Sequence, residues 1–182
     1  MMNLLIDRVE SEIGVILVVS DGEALCALDF QDCETRLLQL LEKRYGTIQI
    51  IEQANPQGFS DRLRGYLAGN VASLDPIPVN PGGTVFQQQV WFALRSIPPG
   101  TVLTYGELAQ RLGKPTACRA VGMANSQNPV AIALPCHRVI GANGKLTGYA
   151  GGLQRKYWLL KHEGLKLTGA EELFHLSKET TH

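Results

Sequence analysis

Apolar positions along this chain alternate between the two-residue period of a strand and the three-to-four-residue period of a helix. Ile13 to Ser20 is a β-branched run, Asp21-Gly22 is a hairpin turn signal, and Glu23 to Phe30 predicts a returning strand. Leu37, Leu38, Leu41 and Tyr45 fall at helical spacing, which predicts a helix over 35–45 stopped at Gly46. Ile48 to Ile51 predicts a short strand, and Leu63, Tyr66 and Leu67 mark the inward face of a helix over 60–68. Pro76, Pro78, Pro81, Gly82 and Gly83 then break all periodicity and read as a linker.

Beyond the linker the pattern is helical. Thr84-Val85-Phe86-Gln87 has the spacing of a capping box, and Phe86, Val90, Ala93, Leu94 and Ile97 mark an amphipathic helix ended by Pro98-Pro99-Gly100. Thr104-Tyr105-Gly106-Glu107 repeats the capping pattern and opens a short helix through Leu112. A Gly113-Lys114-Pro115 turn follows, then a helix over 116–125, and this pairing suggests helix-turn-helix. In the second helix Ala117, Ala120, Val121 and Ala124 are expected to face inward. Thr116, Cys118, Arg119, Gly122 and Met123 remain for the other face. A major-groove reader brings several long polar side chains, whereas this face has one arginine on a slim backbone, which favours the minor groove. A tightly packed Ala/Gly helix at a domain contact is the alternative. From Asn128 to Ile140 the chain is almost wholly apolar and predicts a buried strand, followed by a Gly141–Gly144 turn and a return over 145–149. Leu153 to Glu163 predicts the last helix, and 168–182 is a polar tail.

Charge sharpens the division. Residues 1–84 carry 6 Lys+Arg against 12 Asp+Glu, while residues 85–167 carry 10 against 2. A basic module following an acidic one points to a polyanionic partner for the second half. The chain has no apolar run of membrane-spanning length and no basic-then-apolar leader, so a cytoplasmic location is expected. Its four cysteines form no CxxC pair and no metal-ligand spacing with the histidines, so neither zinc nor a disulfide framework is expected.

Candidate chemistry concentrates at the end of the apolar run. Pro135 removes a backbone donor just before Cys136-His137, so strand pairing is expected to stop there and leave the thiol facing a cavity. A thiol beside an imidazole is the minimum kit for a nucleophile, although most buried cysteines are simply small core residues. Glu163 is expected at a helix C-terminus, where a carboxylate opposes the dipole and wants another purpose, such as holding an imidazole.

Pro135-Cys136-His137-Arg138-Val139, preceded by Arg119-Ala120-Val121-Gly122 and Asn128-Pro129, resembles the O6-alkylguanine-DNA alkyltransferases, also called methylated-DNA–protein-cysteine methyltransferases. Gly148-Tyr149-Ala150-Gly151-Gly152 and Trp158-Leu159-Leu160-Lys161-His162-Glu163-Gly164 extend the match. The resemblance implies an α+β chain: a small ribonuclease-H-like α/β domain over 1–80, then a winged helix-turn-helix-like alkyltransferase domain over 84–167. It also implies a monomer acting on double-stranded DNA that contains O6-alkylguanine, and also O4-alkylthymine, with no metal and no cofactor. Carried over by position, Cys136 accepts the alkyl group, His137 acts on it as a base through a water, and Glu163 orients His137. Arg119 would fill the space of the extruded base, with Thr116, Ala120, Gly122 and Met123 lining the DNA. Tyr105 would press on the rotating phosphate and donate to the purine edge, and Asn128 would brace the turn that leads to the cysteine. Backbone groups of Cys136 and Val139 would accept from the guanine amine, while Pro135, Ala131, Tyr149 and Ala150 would wall the pocket.

Two positions depart from the pattern. Several relatives carry serine at Ala150, so a hydroxyl contact is lost; human-type members carry proline at Ala131, so a roomier pocket accepting larger alkyl groups is expected. Relatives that only bind the lesion typically have tryptophan in place of Cys136. A cysteine hydrolase would leave the basic second half unexplained, and an ordinary helix-turn-helix regulator is disfavoured by the bare second helix and the lack of a dimerisation signal.

Overall fold

The computed structural model describes residues 1–166; the polar tail predicted over 168–182 lies outside the described residues. The chain divides into two units, one comprising 1–82 with 129–133 and the other 83–128 with the remainder from Leu134 on.

The first unit is built on a four-stranded sheet. Its strands are β1 (Met2–Val9), β2 (Ile16–Ser20), β3 (Leu25–Phe30) and β4 (Ile48–Glu52), in the order β3-β2-β1-β4. β1 runs antiparallel to β2 and parallel to β4, the latter reached by the crossover helix α1 (Glu34–Tyr45). β2 and β3 are buried at every position, which is why they read as continuous apolar runs rather than alternating ones. Leu37 and Leu41 of α1 close one face over Leu4, Ile6, Leu17, Val19 and Cys26. A second helix, α2 (Phe59–Leu67), packs against β1, where Ser60 donates to the Asp7 carboxylate at 2.7 Å.

Three sequence expectations change here. No element is predicted before Ile13, yet β1 lies at the centre of the sheet. The linker is partly structured, since Pro78 and Asn80 exchange backbone hydrogen bonds with Leu25, each 2.9 Å long. Most consequential, 128–140 is not one continuous strand, and only Val139–Ile140 at its end pairs regularly. Val130 makes a single bridge to Leu28, with Leu28 N donating to Pro129 O (3.0 Å) and Ala131 N to Leu28 O (2.9 Å). The chain then turns through Ile132 at φ 70, a conformation that a β-branched residue adopts only at a cost. So 129–133 groups with the first compact unit, while the residues on either side of it group with the second.

The second unit is helical. α3 (Val85–Leu94) and α4 (Tyr105–Arg111) both start on complete capping boxes, at Thr84/Gln87 and Thr104/Glu107. Gly113 at φ +70 lets the chain reverse after α4, and α5 (Cys118–Ser126) follows. Trp91 of α3 donates its indole N–H to Ala124 O at 2.7 Å, which pins the end of α5. β5 (Leu103–Thr104) and β6 (Val139–Ile140) form a two-residue parallel pair, so the return strand predicted over 145–149 does not form. α6 (Leu153–His162) closes the unit, with Leu160 packed on Ile140 and Leu146. Among the described residues no helix is long and apolar enough to cross a membrane.

Candidate active site

Pro135 (φ −80, ψ 68) ends extended geometry, and Cys136 to Arg138 make one 3-10 turn before β6. Consecutive side chains on a strand point to opposite faces; a tight turn removes that constraint and lets Cys136 and His137 serve one site. Both are buried, His137 completely.

His137 Nε2 hydrogen-bonds Glu163 Oε1. Glu163 caps the C-terminus of α6, where its charge opposes the dipole, and the compensation comes from two side chains of the 3-10 turn. Besides His137 there is Arg138, whose Nε donates to Oε1 (3.1 Å) and Oε2 (3.0 Å), whose Nη2 pairs with Oε2, and whose Nη1 donates to Ile97 O at 2.7 Å. The loop after α3 approaches closely because Gly100, at φ +78, has no side chain; a Cβ there would stand 3.1 Å from Glu163 O.

Burial pushes the His137 imidazole below its ordinary value even though Glu163 pulls the other way, so the ring is neutral at rest. Burial alone would raise the Glu163 carboxyl, but His137 and Arg138 outweigh it and hold it down to about 2. Because His137 is neutral, the permanent cation beside Glu163 is Arg138. A carboxylate can only accept, so Nε2 carries the imidazole proton and Nδ1 is the basic lone pair. Nδ1 is buried and has no hydrogen-bond partner among the described residues. The arrangement is a neutral base, oriented by an ionised acid, next in the chain to a thiol.

Around this centre Asn128 Nδ2 donates to Leu134 O at 2.7 Å, bridging the ends of the 129–133 excursion. Tyr105, the first residue of α4, lies over Gly122, where a Cβ would be 3.7 Å from its ring, and its hydroxyl reaches Thr147 O at 3.4 Å. Burial raises the Tyr105 hydroxyl above its ordinary value, so it is a donor at neutral pH. Tyr149 is half-buried and Ala150 exposed on the loop before α6, while Ala131 is buried in the segment belonging to the first unit.

On α5, Thr116 (just before it), Cys118, Arg119 and Met123 are exposed as expected, and Gly122 is half-buried. Ala120, expected inward, is exposed, and Ala117 is only half-buried; Val121 and Ala124 alone of that set reach the core. The helix starts at Cys118 rather than Thr116.

Sequence reasoning missed three polar residues. Arg138 stands in the cysteine motif but its partners are far along the chain. Lys156 is fully buried, and its Nζ donates to Val139 O (2.6 Å) and Thr147 O (2.8 Å), tying β6 to the glycine-rich loop; burial brings it down to about 8. Asn125 is buried on α5 with its amide nitrogen 3.3 Å from Cys136 O. The available signals were a lysine and an asparagine at inward-facing helical positions. Among the described residues no group of three or more His, Cys, Asp or Glu is arranged to hold a metal ion.

The chain matches two family models that adjoin along it. Residues 5–81 fit the ribonuclease-like domain, and 85–165 the DNA-binding domain, of 6-O-methylguanine DNA methyltransferase. A methylated-DNA–protein-cysteine methyltransferase of Shigella flexneri is 48% identical over 170 residues, covering 92% of this chain and 99% of the relative. The crystal structure of Mycobacterium tuberculosis O6-methylguanine methyltransferase is similar at TM-score 0.71 and 37% identity, over 91% of this chain and 98% of that one. The crystal structure of Mycobacterium tuberculosis OGT in complex with DNA is similar at TM-score 0.72 and 39% identity, over 88% and 92%. With both halves matched and near-half identity over almost its whole length, the chain belongs to the methylated-DNA–protein-cysteine methyltransferase family.

Proposed function

We infer that this protein repairs double-stranded DNA by direct reversal, moving the alkyl group of an extruded O6-alkylguanine, and also of O4-alkylthymine, onto Cys136. The observation that carries the reading is the buried dyad of neutral His137 and ionised Glu163, its basic Nδ1 unpartnered, adjoining the only cysteine of the site. The thiol proton passes through a water to Nδ1, and the imidazolium so formed is stabilised by Glu163. The thiolate sulfur attacks the alkyl carbon in line, the carbon–O6 bond breaks, and its electron pair leaves on the purine. A hydrogen bond from Tyr105 to the purine edge eases that departure, and a proton returned to the base restores guanine. The exposed Arg119, with Thr116, Ala120, Gly122 and Met123, forms the DNA-facing surface of α5, and Arg119 fills the space left by the base.

The product is a thioether. It offers no carbonyl for water to attack, so each molecule acts once, as a monomer, with no metal or cofactor. A reaction that consumes a thiol suits the reducing cytoplasm. Mixed with a duplex carrying O6-methylguanine, the wild type should gain about 14 Da, one methylene equivalent, trapped on its nucleophile in a stoichiometric burst. Cys136→Ser should gain nothing. Steady turnover, or labelling of the serine variant, refutes the assignment.

A further inference from the structure

Asn125 lies in the last turn of α5, is only 2% exposed, and no step of the reaction above uses it. Its amide nitrogen carries two N–H bonds. One is given to the carbonyl of Cys136, at 3.3 Å. The same amide hydrogen-bonds the Tyr105 hydroxyl. Tyr105 gives its own proton to Thr147 O, at 3.4 Å, so toward Asn125 its oxygen accepts. The amide oxygen, Oδ1, has no hydrogen-bond partner among the described residues, which leaves the second N–H of Nδ2 as the donor. Burial raises the Tyr105 hydroxyl, and the bond from Asn125 works against that rise, as a donated bond must.

One buried nitrogen therefore ties the backbone of the nucleophile to the hydroxyl that meets the purine edge. The bond from Tyr105 to Thr147 O is long and weak, so the hydroxyl can exchange that carbonyl for the base while the bond it accepts from Asn125 stays in place. A hydroxyl that accepts one hydrogen bond is polarised into a better donor of the next. We propose that Asn125 is a positioning residue for alkyl transfer, whose amide nitrogen holds the Tyr105 hydroxyl at a fixed place relative to Cys136. It acts on the departure of the purine and not on the formation of the thiolate. The inference rests on the reading of Cys136 as the alkyl acceptor and of Tyr105 as the donor to the purine.

The rate at saturating O6-methylguanine duplex, followed on the full chain by intact mass, should fall roughly fivefold to tenfold in Asn125→Ala, the weight of about one hydrogen bond. The half-saturating duplex concentration should change less than about twofold, because the buried amide does not face DNA. Tyr105→Phe should slow the same step, and adding Asn125→Ala to it should slow transfer less than about twofold further. Iodoacetamide reaches the same sulfur with no purine to depart, and its rate at Cys136, read by peptide mass, should stay within about twofold in Asn125→Ala. A merely structural role would slow both reactions alike. Asn125→Ser removes the same two bonds with a small polar residue and decides the question where the alanine variant fails to fold. Slowing that multiplies with that of Tyr105→Phe, an equal loss with iodoacetamide, or a Tyr105→Phe protein as fast as the wild type overturns the assignment of Asn125 while leaving Cys136 in place. A wild type that gains no methyl group overturns both.

Discussion

Replacing Glu163 by glutamine keeps the shape of the side chain and an oxygen for His137 Nε2, but leaves the Arg138 guanidinium buried without its counter-charge. Breaking a buried ion pair from one side costs about 3–5 kcal/mol. A second route gives a similar figure: a carboxyl lowered from 4.5 to about 2 contributes about 3 kcal/mol at neutral pH. Urea unfolding at pH 7 should therefore show a loss of about 3 kcal/mol. The sign of the pH dependence follows. The native carboxyl binds its proton less tightly than the unfolded one, so its contribution is complete above about 4.5 and is lost as pH falls through about 2. The stability gap between the two proteins should narrow across that window.

The same substitution tests the chemistry. Forming an imidazolium beside a carboxylate gains up to about 4 kcal/mol at an effective dielectric of 20, partly offset by Arg138, so transfer at pH 7 should slow by about a hundredfold to a thousandfold. Rates of methyl transfer to Cys136, followed by intact mass from pH 6 to about 9.5, read this out directly. A variant as stable as the wild type and within about threefold of its rate at pH 7 would show that Glu163 neither compensates Arg138 nor works through His137.

Two further outcomes follow from buried donors. Lys156→Met leaves Val139 O and Thr147 O without their donor and should cost about 2 kcal/mol in urea unfolding at pH 7. Because the native amine sits at about 8, below its unfolded value, the wild type should gain stability relative to this variant as pH rises from about 8 to 10.5, and a flat difference would refute the assignment. Ala131→Pro removes the N–H that bonds Leu28 O and should cost about 1 kcal/mol or more, so its slower transfer of a benzyl group mixes stability with volume. Ala131→Val keeps that donor, and an undiminished benzyl rate in it would refute the expectation of a roomy pocket.

What could be read from the sequence divides by the range of the interaction. Both capping boxes were legible because each closes within four residues, at Thr84/Gln87 and Thr104/Glu107. β1 was not, because its alternation is interrupted by Asp7 and Arg8, whose partners Ser60, Glu34 and Glu52 lie much later in the chain. The 128–140 run shows the limit of periodicity: it is buried at every position except the half-buried Pro129, as its composition requires, yet Ile132 and Pro135 hold it out of regular pairing until β6. Nothing in that stretch announces a bridge to Leu28. Arg138, Lys156 and Asn125 share one difficulty, since each is a polar residue whose burial makes sense only once a carbonyl or carboxylate from elsewhere is beside it.

Glu163 shows how a nonlocal partner can still be inferred. Its sign is wrong for a helix C-terminus, and a cost that small is tolerable on a surface but not in a core, where it must be compensated. The structure buries Glu163 and supplies both an imidazole and a guanidinium from the turn that carries Cys136. The local anomaly thus pointed to the existence of a distant partner but not to their number: His137 could be named from the motif, whereas Arg138 became necessary only because the pair is sealed from water. A neutral base next in the chain to the thiol and an ionised acid holding it require that second cation, since without Arg138 burial would push the carboxyl up toward protonation and leave His137 with nothing to stabilise its charge.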